Sequence, residues 1–144
     1  HINTLPKLMK EFVDTGKAKI VFRDFPFNYP ALLGSMVLGC IDKEIRYQYS
    51  AALYSLQSKW VVRENEKSKK ELYKIMQSGG MTKDEFNECL KNKELETKII
   101  QGIVNAQNEF NIQSTPSFLI NGTLVEGNKS VKEFRKIIDK LLKE

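Results

Sequence analysis

The 144-residue sequence contains no run of eighteen apolar residues, so no segment of it is expected to cross a membrane as a helix. Cysteine is scarce. Cys40 and Cys89 are the only two, 49 positions apart, which is too few for a disulfide scaffold and too far apart for a local redox pair. From the residues alone they are either two independent buried thiols or one bridge between helices. A bridge would contribute roughly 4 kcal/mol by restricting the unfolded chain and would imply an oxidising compartment. Histidine occurs once, as His1, so no Ser–His–Asp triad can be assembled without the first residue. Two cysteines and one terminal histidine make a poor metal site, and neither metal nor cofactor is expected. There is no initiator methionine, signal peptide or targeting segment, and a helical pattern starts at once. That abrupt start leads to the expectation that further polypeptide precedes residue 1.

What is present describes a soluble folded domain. Hydrophobic residues make up 41% and charged residues 28%, enough to bury a core within one domain. The net charge of +5 permits anionic partners. The lysines, however, are spread over several helices and mixed with acids, as in Glu66-Lys67-Ser68-Lys69-Lys70-Glu71. That pattern is a solvated surface rather than a nucleic-acid stripe, so no nucleic-acid partner is expected.

Ile2, Leu5, Leu8, Met9, Phe12 and Val13 recur at helical spacing, and Asp14-Thr15-Gly16 ends that helix. Ala18 to Phe25 is short, apolar and β-branched, which predicts a buried strand; Pro26 and Pro30 then mark an irregular connection. Helices are expected from Ala31 to about Cys40, along the Ile45/Tyr49/Leu53/Leu56 face, and along the Leu72/Ile75/Met76 face up to Gly79-Gly80. Met81, Thr82, Glu85 and Phe86 form a capping box with a hydrophobic staple. Leu95, Ile99, Ile103, Ala106 and Phe110 define a longer helix. Ser117 to Ile120 and Thr123 to Glu126 are strands joined by Asn121-Gly122, a strong hairpin signal. Ser130 caps a last helix with Glu133 at its third position.

The order is helix, strand, several helices, hairpin, helix. A helix feeding a buried strand belongs to a parallel β–α–β unit, so a strand is expected before it. Without that strand, the Ala18–Phe25 segment and the hairpin would stand about 10 Å apart with unpaired ladder groups.

Three segments carry a resemblance. Leu5-Pro6 lies within the first helix, Thr15 to Pro26 includes Arg23-Asp24-Phe25-Pro26, and Ser114-Thr115-Pro116-Ser117-Phe118 leads into Asn121-Gly122. Together they resemble the DsbA-like thiol–disulfide oxidoreductases. The resemblance implies an α/β thioredoxin-like fold with an inserted α-helical domain, here without its N-terminal strand. The expected parts are residues 1–30 (first helix, second strand), 31–110 (helical insert) and 111–144 (cis-proline loop, hairpin, last helix). Family members carry Cys-x-x-Cys at the start of the first helix, and neither cysteine of this sequence lies there. The resemblance places that motif just upstream of His1.

The implied activity is that of a protein disulfide oxidase introducing disulfides into folding proteins. The alternatives are a reductase or isomerase of the same fold, or a non-catalytic peptide-binding module. The implied partners are substrate proteins with cysteine thiols and a membrane redox partner, in an extracytoplasmic compartment such as a bacterial periplasm. Thiol–disulfide exchange needs a thiolate, which a helix N-terminus stabilises. Within the sequence, Thr115 and Pro116 are the candidate catalytic-site residues. A cis bond before Pro116 would turn the Thr115 backbone outward for pairing with an extended substrate. The resemblance favours a structural disulfide for Cys40 and Cys89 over a second catalytic pair. His1 is a base or modulator in the functional reading and a solvated terminus in the plainer one. Trp60 and the Tyr47, Tyr49 and Tyr54 group are read as packing residues rather than a peptide groove. Asn121-Gly122-Thr123 and Asn128-Lys129-Ser130 match the glycosylation pattern, but turn and cap roles already account for them.

Overall fold

In the first helix, α1 (Leu5–Leu8), Pro6 sits in the first turn, where a missing N–H costs nothing. The helix then widens into a π-helical turn over Met9–Val13. Gly16 takes φ +72° and stops it, a conformation cheap only for glycine. These features come from a computed structural model that describes residues 3–143; His1, Ile2 and Glu144, and with them the readings placed on His1 and Ile2, lie outside the described residues.

The chain forms two compact units, His1–Arg23 with Asn105–Glu144, and Asp24–Val104. The expected boundaries at 30/31 and 110/111 are displaced from these. The second division falls inside one uninterrupted helix, α7 (Lys93–Phe110), which carries no boundary signal of its own.

The unit Asp24–Val104 is helical. Its first helix, α2 (Tyr29–Gly39), starts earlier than expected. Asn28 Oδ1 accepts the Ala31 N–H at 2.9 Å, and Pro30 occupies the first turn instead of the connection before it. There follow α3 (Arg46–Ser55), the single turn α4 (Gln57–Trp60), α5 (Asn65–Ser78) and α6 (Lys83–Lys91). The core gathers Leu33, Val37, Leu53, Trp60, Leu72, Met76 and Phe86. Trp60 belongs to it: its indole N–H donates to the Leu53 carbonyl at 2.9 Å. Tyr49 packs against the same core and its hydroxyl donates to the Gly79 carbonyl. Ser68 is fully buried and satisfied, accepting the Val62 N–H and donating to the Val62 carbonyl, both at 3.0 Å. Two neighbours rest on the bare backbone of α2. A Cβ at Gly34 would stand 2.9 Å from the Trp60 ring, and one at Gly39 would stand 2.9 Å from the Leu95 methyls.

In the other unit, β1 (Ser117–Ile120) pairs antiparallel with β2 (Thr123–Glu126), with Phe118 opposite Val125. Asn121 and Gly122 take φ 47° and 84°, both left-handed, as the two-residue hairpin turn requires. The last helix, α8 (Val131–Leu141), packs Phe134 against Leu8 and Phe12. The Phe118 and Phe134 rings meet edge to face at 4.7 Å. Arg135 grips Glu11 with two hydrogen bonds, at 2.6 and 2.7 Å. That contact holds the Glu11 carboxyl below the usual carboxylate range.

One expected element differs. Ala18 to Phe25 forms no ladder, and β1 and β2 are the only strands among the described residues. A strand is defined by its partner, and among the described residues no strand pairs with this segment. Ala18 still packs on the Leu8–Phe12–Phe134 core, while Val21 and Phe22 are 55% and 51% exposed.

Candidate functional site: the Thr115–Pro116 loop

Asn111, in the left-handed region at φ 52°, ends α7, and the Ile112 N–H turns back to the Ala106 carbonyl at 3.2 Å. The chain then has five residues in which to reach β1. Gln113 donates to the Asn111 side chain at 3.2 Å, and the Ser117 hydroxyl donates to the Ser114 carbonyl at 2.6 Å. The Gly127 N–H donates to the Pro116 carbonyl at 2.9 Å, tying the end of the hairpin to the loop. Within this frame the Thr115–Pro116 peptide bond is cis.

Thr115 and Pro116 are both exposed. The Thr115 N–H and C=O have no hydrogen-bond partner among the described residues. Both groups are therefore open to main-chain pairing, and the Gly127–Pro116 and Ser117–Ser114 hydrogen bonds hold the loop to the hairpin. The loop itself carries neither a titratable side chain for acid–base chemistry nor a sulfur, so it cannot by itself exchange disulfides.

Cys40 and Cys89, the other candidates, lie in the helical unit and are joined, with Sγ atoms 1.99 Å apart. The bridge links the C-terminal end of α2 to α6. Its two ends differ: Cys40 is exposed and Cys89 is 4% exposed. A groove of about 510 Å³ runs over it, lined by Cys40, Asp42, Glu85, Glu88 and Cys89 among others. Sequence reasoning missed this groove, because no local pattern tells that residues 40 and 89 share a surface. Of Tyr47, Tyr49 and Tyr54, Tyr49 packs on the core, whereas Tyr54 is 53% exposed. Burial of part of its ring, and then the Asp24 carboxylate, push the Tyr54 hydroxyl above its usual pKa. No helix among the described residues is long and apolar enough to cross a membrane.

Known proteins give this geometry a context. The thioredoxin family profile matches residues 1–140. A provisionally named protein-disulfide oxidoreductase of Rickettsia felis is 28% identical over 145 residues, covering 100% of this chain and 51% of the relative. A provisionally named disulfide bond formation protein D of Bacillus cereus is 28% identical over 153 residues, covering 99% of this chain and 67% of the relative. The chain thus spans about half the length of the Rickettsia relatives it matches. Among solved structures, Wolbachia pipientis alpha-DsbA1 superposes with a TM-score of 0.89 at 28% identity, over 99% of this chain and 77% of that one. A protein-disulfide isomerase of Novosphingobium aromaticivorans, 22% identical with a TM-score of 0.87, shares the fold over 99% of this chain and 84% of its own. This chain therefore belongs to the thioredoxin family, in its DsbA-like branch, with a thioredoxin-like fold and an inserted helical domain.

Proposed function

We propose that this chain is part of a protein disulfide oxidase that passes a disulfide to cysteine-containing substrate proteins. The observation that carries the reading is the exposed Thr115 main chain beside Pro116, in a chain that belongs to the DsbA-like branch. In this reading the Thr115 N–H and C=O hold the substrate as an added strand. A Cys-x-x-Cys motif in polypeptide preceding His1 supplies the exchanging sulfurs. Its nucleophilic sulfur would attack as a thiolate stabilised at the start of the first helix. A membrane redox partner would restore the disulfide. The Cys40–Cys89 bridge supports an extracytoplasmic setting, since such bridges persist where the surroundings are oxidising.

The test uses the longer polypeptide that includes the upstream residues. Oxidation of a reduced two-cysteine peptide, insulin reduction and a redox titration are measured side by side. An oxidase oxidises the peptide stoichiometrically and equilibrates at a more oxidising potential than thioredoxin. Fast insulin reduction with a low potential makes the protein a reductase, and no exchange in any assay makes it a binding module. Thr115→Pro removes the donor N–H and should raise the KM for the peptide about fivefold to tenfold, the worth of one hydrogen bond. An unchanged KM in a folded variant removes Thr115 from the site.

A further inference from the structure

The Cys40–Cys89 bridge is asymmetric in access and in the fate of its sulfurs. Cys40 is exposed and lines the groove; Cys89 is 4% exposed, and its Sγ lies 3.0 Å from the Met36 carbonyl oxygen. A disulfide sulfur carries no proton, so this contact becomes a hydrogen bond only when Cys89 is a thiol. At the other end, the Arg46 guanidinium donates to the Ile41 carbonyl at 2.8 Å and the Gly39 carbonyl at 3.3 Å, on either side of Cys40. These bonds fix the main chain on both sides of Cys40, whose exposed sulfur can carry a solvated thiolate, while burial disfavours a Cys89 thiolate. The lining carries three carboxylates, Asp42, Glu85 and Glu88, and no basic residue. Lys91, outside the lining, pairs with Glu88 at 2.8 Å.

We infer that Cys40 is a site of reversible mixed-disulfide formation with small thiols, and that the groove admits cationic thiols ahead of anionic ones. A thiolate attacks Cys40 Sγ. The new sulfur–sulfur bond forms as the Cys40–Cys89 bond breaks, and the electron pair leaves on Cys89. Cys89 takes a proton from water and donates the resulting S–H to the Met36 carbonyl. The incoming thiol is oxidised and Cys89 is reduced. A second thiolate can then attack the outer sulfur, releasing the small-molecule disulfide and a solvated Cys40 thiolate. Access outweighs leaving-group preference in the first step, because Cys89 is walled in by α2 and the core.

The experiment treats the oxidised full chain with cysteamine or with 2-mercaptoethanesulfonate at matched thiolate concentration and low salt. Free thiols are blocked at intervals, peptides are mapped by mass spectrometry, and helix content is followed in parallel. The adduct should lie on Cys40 with Cys89 free. Cysteamine should react about tenfold faster, and the ratio should shrink in 1 M salt as the carboxylates are screened. Asp42→Asn combined with Glu88→Gln should lower the ratio several-fold in a chain of unchanged helix content. An adduct on Cys89, equal rates for the two thiols at low salt, or reaction only after helix loss would overturn the inference. So would an unchanged ratio in the double variant.

Discussion

The two units meet their main-chain hydrogen-bonding needs in different ways. In the helical unit each helix closes its own bonds, a core of fully buried residues such as Leu72, Met76 and Phe86 forms underneath, and a disulfide ties residues far apart in sequence. In the other unit the buried core is Leu8, Phe12 and Phe134, and among the described residues the sheet is a single hairpin. Two strands alone are marginal in water. A helical unit can be complete by itself, whereas a sheet is only as complete as its set of partners. The ladder-free stretch after Gly16 is the visible mark of that difference.

Amide hydrogen exchange gives the widest expected contrast. Leu72 and Met76 should exchange only through unfolding of their unit. Ile20 and Val21, in the segment without a ladder, should exchange within about tenfold of an unstructured peptide. In a longer polypeptide that supplies a neighbouring strand, the protection of Ile20 and Val21 should rise by orders of magnitude. Strong protection of both in the present chain would erase the contrast. Next in size is the bridge. Replacing Cys40 and Cys89 together by alanine frees a long loop and should cost the helical unit about 4 kcal/mol, read as a lower denaturant midpoint. The unit containing α8 should keep its own transition.

The smallest effects come from the two capping boxes, one in each unit. Thr82→Ala and Ser130→Ala should each cost about 1 kcal/mol, registered by the unit that holds the cap. The caps also set a pH dependence. Backbone and hydroxyl hydrogen bonds from Thr82 and Ser130 hold Glu85 and Glu133 below the ordinary glutamate value of 4.5. A lowered carboxyl pKa adds stability above the unfolded value, and that stability is lost as pH falls below 4.5 through the folded one. The penalty of Glu85→Gln or Glu133→Gln, measured by urea titration, should therefore shrink from pH 7 toward pH 3. A pH-independent penalty would assign the boxes to packing alone.

Local chemistry made much of the fold legible. Asn121-Gly122 set the hairpin, Thr82 with Glu85 and Ser130 with Glu133 set two helix starts, and the spacing from Leu95 to Phe110 set α7. The misses arise where a local pattern is ambiguous or absent. Ala18 to Phe25 has strand composition, but composition cannot provide a neighbour. The π-helical turn at Met9–Val13 and the single turn at Gln57–Trp60 have no pattern of their own. Pro30 read as a break because a proline at the head of a helix and a proline in a loop look alike until the Asn28 cap is seen. The cis bond before Pro116 was legible through its surrounding motif. The pairing of Cys40 with Cys89 could not be decided from spacing, since the fold of α2 against α6 brings them together.

The close seats on α2 reverse the usual expectation for a scan of alanine substitutions. Along most buried helices alanine removes contacts and leaves a hole, as it would at Leu33 or Val37. At Gly34 and Gly39 the same residue adds an atom where Trp60 and Leu95 already touch main chain. The tolerance profile of this helix should therefore dip twice at its smallest side chains, and the second dip falls one residue before the sulfur that solvent can reach.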